Sequence, residues 1–186
     1  ILLAKWIEQK NPKLWREMVN GDFYRSIGMT NTGFKPLEHG ISPNRIAPTL
    51  IDSLWPRGEV RGIVHDPSAI MLGGIAGNAG LFSTAMDLAK LMYMLQKRGR
   101  STKTETFLLK PTTVDLFTKT HLGPTKKGYR GLGFDKPNGK EGNKANVFEG
   151  APNSLFGHSG YTGTWAWCDP ANKITFVFLS NRTYPS

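Results

Sequence analysis

The sequence predicts an α+β fold in which helices come first and antiparallel strands come last. Apolar residues recur at helical spacing in the first part of the chain. After residue 128 the period changes to that of strands, and the last two candidate strands are joined by a strong turn sequence, Asp-Pro-Ala-Asn at 169–172. Helices followed by a terminal antiparallel hairpin are typical of α+β architecture.

The first predicted helix ends near residue 9, and a second is predicted to begin at Pro12, which suits a first helical turn. Residues 35–80 are rich in Pro and Gly and show little periodicity. They predict a long irregular excursion, a length that is uncommon in a compact domain without a functional role.

The clearest helix is predicted to start after Thr84 as N-cap, with Asp87 in its first turn. Gly99 is the natural C-cap. The predicted buried face consists of Leu88, Leu91, Met92 and Leu95. A shorter helix is predicted from Pro111, with Val114, Leu116 and Phe117 as its apolar residues.

Three segments after residue 128 are predicted as strands, at 131–134, 161–168 and 174–179. Trp165 and Trp167 alternate within the second of them, which indicates packing on a sheet face.

Size and composition favour a globular protein with one core. The chain has 186 residues, of which 39% are hydrophobic and 20% charged. No apolar run is long enough to span a bilayer. A single cysteine, Cys168, excludes an internal disulfide and a Cys-rich metal site.

The net charge is +10, but its clusters, around 97–100 and 126–130, lie in Gly- and Thr-rich connectors. A nucleic-acid groove would interleave such charges with aromatic residues or line them along a helix, so nucleic acid is not an expected partner. The chain begins within an amphipathic pattern and has no signal-peptide features, so we expect it to be an internal piece of a longer polypeptide.

The most informative stretch is residues 157–165, for which three interpretations compete. A nucleophile elbow with Ser159 would need a second Gly at the position of Tyr161 and a helix afterwards, whereas strand-forming residues follow. Alternatively, the stretch opens an edge strand that lines an active site. A third interpretation is a Gly-rich turn with an incidental His158.

The edge-strand interpretation assigns a role to each residue. His158 would aid proton transfer or bind a substrate carboxylate, and the Ser159 hydroxyl would donate to the substrate. Gly160 would let the strand approach a nucleophile on a neighbouring helix. The N–H of Tyr161 would be one donor of an oxyanion hole. The free strand edge would align an extended acyl substrate.

Other candidates are weaker. His65 and Asp66 are either a dyad facing a cleft or a loop His with a capping Asp. The Gly-rich run 73–80 could cradle an anion before the next helix, but it lacks the nucleotide-binding motifs. His39 and His121 are isolated, and no spacing typical of metal ligands is present, so no metal site is expected.

Three stretches together resemble the class C β-lactamase and DD-peptidase (penicillin-binding protein) family. Residues 157–182 resemble its third active-site motif, Lys-Thr-Gly or His-x-Gly, and its final hairpin. Residues 27–34 resemble its Leu-Gly-Met-x-x-Thr-x-Phe segment, and residues 79–89 its Gly-Gly-Leu-x-Ser-Thr-x-x-Asp-Leu segment. A closer similarity, at 64–67, 71–77 and 130–136, is to serine-hydrolase modules fused to family 3 glycoside hydrolases of the β-N-acetylglucosaminidase type. Those modules usually have His in place of Asn78.

The resemblance implies a partial β-lactamase/transpeptidase-like fold: one incomplete serine-hydrolase domain over 1–186, with helices and loops in roughly 1–125 and the C-terminal strands in 126–186. His158 and the Tyr161 N–H would be its catalytic groups, and Ser159, Gly160 and Thr162 would bind substrate. His65, Asp66 and Asn78 would be candidate cleft residues.

The family's nucleophile lies in Ser-x-x-Lys, where the Lys assists deprotonation of the Ser. No Ser in this chain has Lys three residues later, and the second motif, Tyr-x-Asn, is also missing. In the family's order both would lie upstream of Ile1. The resemblance therefore implies a C-terminal fragment of a hydrolase of amides, esters or cell-wall peptides, inactive alone.

The expected partners are the upstream part of the same polypeptide and a small-molecule or peptidoglycan-like substrate, with no cofactor. The resemblance places the protein in the periplasm, the cell envelope or the secreted fraction. The alternative is a non-catalytic peptidoglycan-binding or scaffold module attached to a glycoside hydrolase.

Overall fold

The computed structural model describes residues 1–11, 17–52, 58–101, 103–122, 129–137, 147 and 150–185. They belong to two compact units, Ile1–Asp87 with Ser180–Ser186, and Leu88–Leu179. The boundary falls inside one helix, Ala85–Gln96. The prediction of a single domain over 1–186, divided near residue 125, stays a prediction.

The first unit combines short helical segments with two small antiparallel sheets. Its helical segments are Leu2–Lys10, the π-helical turn Met18–Tyr24, the 3₁₀ turns Arg25–Ile27, Pro36–His39 and Pro43–Arg45, and the helix Pro67–Met71. Its strands are β1 (Gly33–Phe34), β2 (Pro48–Asp52), β3 (Gly58–Arg61) and β4 (Leu81–Phe82), paired β1 with β4 and β2 with β3. The predicted excursion at 35–80 therefore contains a hairpin and several helical turns, and the predicted start of a helix at Pro12 lies outside the described residues.

The buried carboxylate of Asp87 ties two distant stretches of the first unit together. One of its oxygens accepts the Asn31 N–H at 2.7 Å and the Thr32 hydroxyl at 3.1 Å. The Thr32 hydroxyl also lies 2.7 Å from that of Ser83. The β1–β4 pair and these bonds bring residues 29–34 and 81–87 together, and these are two of the stretches that carry the family resemblance.

The C-terminal segment of the chain packs along β2 and β3. The Thr183 hydroxyl donates to the Thr49 carbonyl at 2.8 Å, and the Ile51 N–H donates to the Pro185 carbonyl at 3.2 Å. The Tyr184 hydroxyl donates to the Glu59 carboxylate at 2.8 Å. These bonds anchor the segment that follows the last strand.

The second unit contains the five-stranded antiparallel sheet. Its strands are β5 (Tyr129–Arg130), β6 (Asp135–Lys136), β7 (Phe156–Gly160), β8 (Thr164–Asp169) and β9 (Ile174–Leu179), in that spatial order. The helices of this unit are most of Ala85–Gln96, and Pro111–Thr118. Helices before a terminal antiparallel sheet confirm the predicted α+β class, and β9 has its predicted bounds.

The two predicted helices form, and in the first of them Met92 and Leu95 are buried as predicted. The Asp87 N–H donates to the Thr84 hydroxyl at 3.2 Å, as expected for an N-cap. At the other end, Gly99 has a φ of +95° and its N–H donates to the Met94 carbonyl at 2.9 Å. Met94, which the pattern did not select, is among the most buried side chains. In the second helix Val114 is buried, whereas the other two apolar residues, Leu116 and Phe117, are exposed.

The predicted strand at 131–134 is instead the turn between β5 and β6. The Gly131 N–H donates to the Phe134 carbonyl at 2.9 Å, and Gly133 has a φ of +87°, a left-handed conformation that strands do not use. A side chain on Gly131 would collide with the Phe117 carbonyl oxygen at 2.6 Å. The glycines serve the turn and its close approach to the helix Pro111–Thr118.

The two faces of the sheet are packed differently. One face carries Trp167 in a cluster with Val147 and Leu155, against which Trp165 packs, as the alternation predicted. The other face carries the buried Phe156 and Cys168. On that face Gln96, at the end of its helix, donates to the Thr175 hydroxyl at 3.3 Å.

Candidate active-site strand

The strand β7 passes from the interior to the surface within five residues. Phe156 is 1% exposed and Gly157 is also buried, whereas His158 and Gly160 are exposed and Ser159 is half-buried. Phe156 packs edge-on against Phe134, with ring centres 5.1 Å apart. The apolar start of the strand therefore anchors it. The polar tripeptide, residues 158–160, extends from this anchored part toward the surface.

The register of the sheet leaves one flank of the tripeptide without a strand partner among the described residues. On one side β7 pairs with β8 along its whole length, from Phe156 opposite Cys168 to Gly160 opposite Thr164. On the other side β6 pairs with β7 at Gly157 alone. An extended peptide could add to this flank by main-chain hydrogen bonds.

The imidazole of His158 is oriented by its own strand. Its Nδ1 lies 2.7 Å from the Ser159 carbonyl oxygen. Because a carbonyl oxygen can accept but not donate, this contact requires the proton on Nδ1. In the neutral ring the lone pair is then on Nε2, the nitrogen that remains for a ligand.

Tyr161 lies in the hairpin loop and not in a strand. The loop is residues 161–163, closed by a 3.0 Å hydrogen bond from the Gly163 N–H to the Gly160 carbonyl, with Gly163 at a φ of +97°. The predicted start of a strand at residue 161 was therefore wrong, because a left-handed glycine and strand-forming neighbours together make a three-residue hairpin loop. Tyr161 is 70% exposed, and Thr162 is half-buried beside it. Both predicted site residues thus stand at the tip of the hairpin.

Two glycines of β7 are required by close neighbours. A Cβ on Gly157 would lie 2.4 Å from the Ala166 carbonyl oxygen and 2.5 Å from the Trp167 ring. A Cβ on Gly160 would lie 2.2 Å from the Thr164 hydroxyl oxygen. Thr164 therefore overlies Gly160, a relation that cross-strand register creates and that sequence reasoning missed.

The candidate cleft residues His65, Asp66 and Asn78 belong to the first unit. Asp66 accepts the Ala69 N–H at 2.8 Å, which makes it the N-cap of the helix Pro67–Met71, and it also accepts the Asn78 side-chain amide at 3.2 Å. These bonds match the alternative of a capping Asp, and His65 beside it is half-buried. A role for the three residues in a cleft stays a prediction.

The remaining candidates from the sequence are the isolated histidines and the basic runs. The ring of His121 lies 2.6 Å from the Leu116 carbonyl oxygen. Within the described residues, no three His, Cys, Asp or Glu side chains come together as a metal ion would require. Three arginines of the basic runs are paired with acids, namely Arg98 with Asp115, Arg100 with Glu105 and Arg130 with Asp135. Lys126 and Lys127 lie outside the described residues.

Sequence reasoning also missed Lys136, which is buried at 4% exposure. Its Nζ lies 5.9 Å from the centre of the Phe156 ring. Burial lowers the pKa of this lysine to about 8, although the nearby Cys168 thiol acts in the opposite direction. Burial in turn raises the pKa of Cys168 to about 11. An isolated Lys in a Gly-rich run carries no sequence signal of such burial.

None of the helices in the described ranges combines the length and the apolar character that a bilayer crossing requires.

Comparisons with known protein families and with curated proteins place the chain among β-lactamase-like proteins. The sequence model of the family described as Beta-lactamase matches residues 2–186. A protein of Escherichia coli K12 named "Putative D-alanyl-D-alanine carboxypeptidase" is 33% identical over 195 residues, and a protein of the same name from Salmonella typhi is 32% identical over 177 residues. The two alignments cover 99% and 89% of this chain, but 44% and 40% of the relatives. The chain thus spans less than half the length of these curated relatives.

Two solved structures share the fold. The octameric penicillin-binding protein homologue of Pyrococcus abyssi has a TM-score of 0.67 at 20% identity, over 99% of this chain and 37% of its own. A penicillin-binding protein homologue of Caulobacter crescentus has a TM-score of 0.65 at 19% identity, over 97% of this chain and 50% of its own.

Proposed function

The chain belongs to the Beta-lactamase family, and on that premise we propose that its parent protein is a serine hydrolase that cleaves a cell-wall peptide through an acyl-enzyme. The carboxypeptidase named among the relatives supports a peptide ending in D-alanyl-D-alanine as substrate. The observation that carries the proposal is the exposed end of β7, where residues 158–160 project beside a flank that no other described strand pairs with. This is the shape that aligning an extended acyl substrate needs.

The proposed reaction needs a nucleophile from outside these 186 residues, since no Ser here has Lys three residues later. A Ser hydroxyl in an upstream segment attacks the substrate carbonyl carbon, and its proton passes to an upstream Lys or Tyr. The resulting tetrahedral oxyanion accepts a hydrogen bond from the Tyr161 N–H. Its collapse expels the amine, which takes up a proton, and water then hydrolyses the acyl-enzyme.

The described residues form one wall of that cleft. His158 presents Nε2, because Nδ1 donates to the Ser159 carbonyl. In the neutral ring Nε2 accepts a proton, and in the protonated ring it donates to the substrate carboxylate. The Ser159 hydroxyl and Thr162 bind substrate, and Gly160 leaves space for the strand to approach the nucleophile. His65, Asp66 and Asn78 are proposed as residues of the surrounding cleft.

Several wider expectations belong to the same proposal. The 186 residues alone are inactive, and their partner is the upstream part of the same polypeptide. The parent protein acts in the cell envelope or outside the cell, and it carries a family 3 glycoside hydrolase on the same chain. Ester hydrolysis is a further activity that the same acyl-enzyme chemistry supports.

The test is acylation of the full-length protein by a fluorescent penicillin. We expect an adduct on the full-length protein and none on residues 1–186 alone. His158→Ala should slow acylation at least tenfold, in line with the usual contribution of a proton-transfer group. His121→Ala is the matched control, because His121 is also exposed in the second unit but contacts the backbone of a helix.

An intact full-length protein that carries Ser-x-x-Lys and forms no adduct would refute the proposed mechanism. If that protein still sediments with peptidoglycan, the non-catalytic binding module becomes the better description. If the His158→Ala variant forms the adduct at the wild-type rate, β7 is not part of the active site, although the protein is still a serine hydrolase.

A further inference from the structure

A short hairpin follows the first helix of the second unit and takes no part in the site described above. We call residues 97–110 the basic hairpin. Its two sides meet in an antiparallel bridge between Arg100 and Phe107. Next to this bridge the Ser101 N–H donates to the Thr106 carbonyl at 2.9 Å. The segment is therefore an ordered element and needs an account of its own.

The basic hairpin carries a large share of the net charge. Its 14 residues include five basic side chains and one acidic, which is +4 of the molecule's +10. All five basic side chains are exposed, namely Lys97, Arg98, Arg100, Lys103 and Lys110. The first two directly follow the helix, where cations stabilise the negative end of its dipole. The helix dipole does not account for the other three.

Two acidic partners offset this charge only in part. Arg98 pairs with Asp115, and Arg100 pairs with Glu105 at 3.2 Å. All four side chains are about half exposed or more, and exposed ion pairs are held weakly. With both carboxylates counted, basic residues still exceed acidic ones by three. The surface therefore keeps an excess of positive charge that an anionic partner can use.

The aromatic ring of Phe107 stands among these charges and is 59% exposed. Its exposure does not come from a loosely held backbone. The Arg100 Nε donates to the Glu105 carbonyl at 3.1 Å, and the buried Ser101 hydroxyl accepts the Lys103 N–H at 3.2 Å. These bonds shape the hairpin from within, so the ring is held in contact with solvent.

The tip of the basic hairpin projects from the unit, since every residue from 103 to 107 is exposed. A groove that encloses a nucleic-acid strand would bury such residues on its walls. A projecting tip with one apolar ring and several cations suits a flat surface that is anionic outside and apolar beneath. The boundary of a bilayer with anionic lipids has both properties.

We propose that the basic hairpin docks the parent protein on an anionic lipid bilayer. Phe107 enters the boundary between headgroups and acyl chains, and the Lys and Arg side chains contact lipid phosphates. The contact is peripheral and reversible. It does not depend on the acyl-enzyme reaction, and it adds a lipid-binding surface to a unit whose proposed substrate lies in the cell wall.

The experiment is cosedimentation of the full-length protein with lipid vesicles. We expect binding to vesicles of phosphatidylglycerol and phosphatidylcholine in equal parts, little binding to phosphatidylcholine alone, and weaker binding in high salt. Phe107→Ser should weaken binding about tenfold, because the ring no longer leaves water. Lys103→Ala should weaken it about fivefold, the usual contribution of one cation near an anionic membrane, and Lys103→Arg should bind like the wild type.

Met71→Ser is the matched control for the ring. Met71 is 87% exposed, but no Lys or Arg occurs between residues 62 and 89. This variant should bind vesicles as the wild type does. Melting temperatures of all variants show whether they are folded.

Absence of binding to the anionic vesicles would overturn the inference, and so would equal binding to both kinds of vesicle. If Lys103→Ala weakens binding while a folded Phe107→Ser does not, the hairpin recognises phosphate alone and docking on a bilayer is wrong. If Phe107→Ser lowers the melting temperature, the comparison of Lys103→Ala with Lys103→Arg decides. Equal binding of those two variants then refutes the role of the charges. None of these results bears on penicillin acylation, which is measured without vesicles.

Discussion

At the scale of single residues, the carboxylate of Asp87 joins stretches that are far apart in the sequence. It is 1% exposed and accepts donors from Asn31 and Thr32, more than fifty residues earlier in the chain. A buried carboxylate is tolerated when donors satisfy it, and the donors in turn depend on it. Asp87 is therefore a structural residue, although it stands in a stretch that resembles an enzyme family's signature.

Replacement of Asp87 by Ala should lower the free energy of unfolding by about 1–3 kcal/mol, because two donors lose their acceptor in a buried place. Asp115→Ala is the control, since Asp115 is an exposed partner of Arg98 and a solvent-exposed ion pair contributes little to stability. Urea denaturation of both variants measures the difference. Equal losses in the two variants would contradict the role given to Asp87.

Lys136 is the second residue whose environment predicts a measurable property. Its folded pKa of about 8 lies below its ordinary value of 10.5, so between these pH values the folded state has released a proton that the unfolded state keeps. The contribution of Lys136 to stability therefore rises with pH through this window and is constant above it. Cys168, with its raised pKa, acts in the opposite sense from about pH 9 to 11.

Comparison of Lys136→Met with the wild type isolates the lysine from Cys168. The variant should be the more stable protein at neutral pH, by on the order of 3 kcal/mol, because it need not bury a charge. Its advantage should decline as pH rises from about 8 to 10.5. Denaturation curves collected along this range test the expectation, and a difference that is independent of pH would show that Lys136 is not buried as a cation.

At the scale of elements, β7 is positioned by what its glycines permit. Gly157 allows β8 to approach until the Trp167 ring and the Ala166 carbonyl occupy the space of a side chain. The strand is thereby fixed at its buried end, while its other end meets solvent. The position of the exposed residues 158–160 therefore depends on the packing of the buried half of the strand.

A methyl group at position 157 should shift the strand. We expect Gly157→Ala to lower the free energy of unfolding by about 1–3 kcal/mol through overpacking, and to slow penicillin acylation as well. Gly21→Ala is the matched control, because a Cβ there meets no atom within 4 Å. It should leave stability unchanged or raise it by up to about 1 kcal/mol, since Ala restricts the unfolded chain. Thermal unfolding distinguishes the two, and a neutral Gly157→Ala would contradict the packing described.

At the scale of the whole molecule, local chemistry was predictable from the sequence and long-range geometry was not. The Thr84 cap, the Gly99 terminus and the 169–172 turn follow from neighbouring residues, and each formed as predicted. The runs at 131–134 and 161–163 were read as strand, because aromatic and β-branched residues there outweighed Gly133 and Gly163. The left-handed backbone of those two glycines is set by hairpin closure, which no local pattern reveals.

The candidate site shows the same division. His158, Ser159 and Gly160 could be selected because the tripeptide has a polar, glycine-containing pattern at the start of strand-forming sequence. Thr164 could not, since its place over Gly160 depends on the register of two strands. The capping role of Asp66 and its bond to Asn78 likewise need a contact across twelve residues.

The short connections of the last three strands have a consequence for how the protein folds. Loops of three and four residues join β7 to β8 and β8 to β9, so the ladder among them closes with little loss of chain entropy. Hairpins of this kind form within about 1–10 microseconds, far sooner than pairings between distant segments. The three-stranded meander β7–β9, which carries His158, can therefore form early in folding. Segments that are distant in sequence then pack against strands that are already paired. Pulsed hydrogen exchange during refolding would then show β8, the central strand of the three, protected before the Asn31 amide that Asp87 accepts.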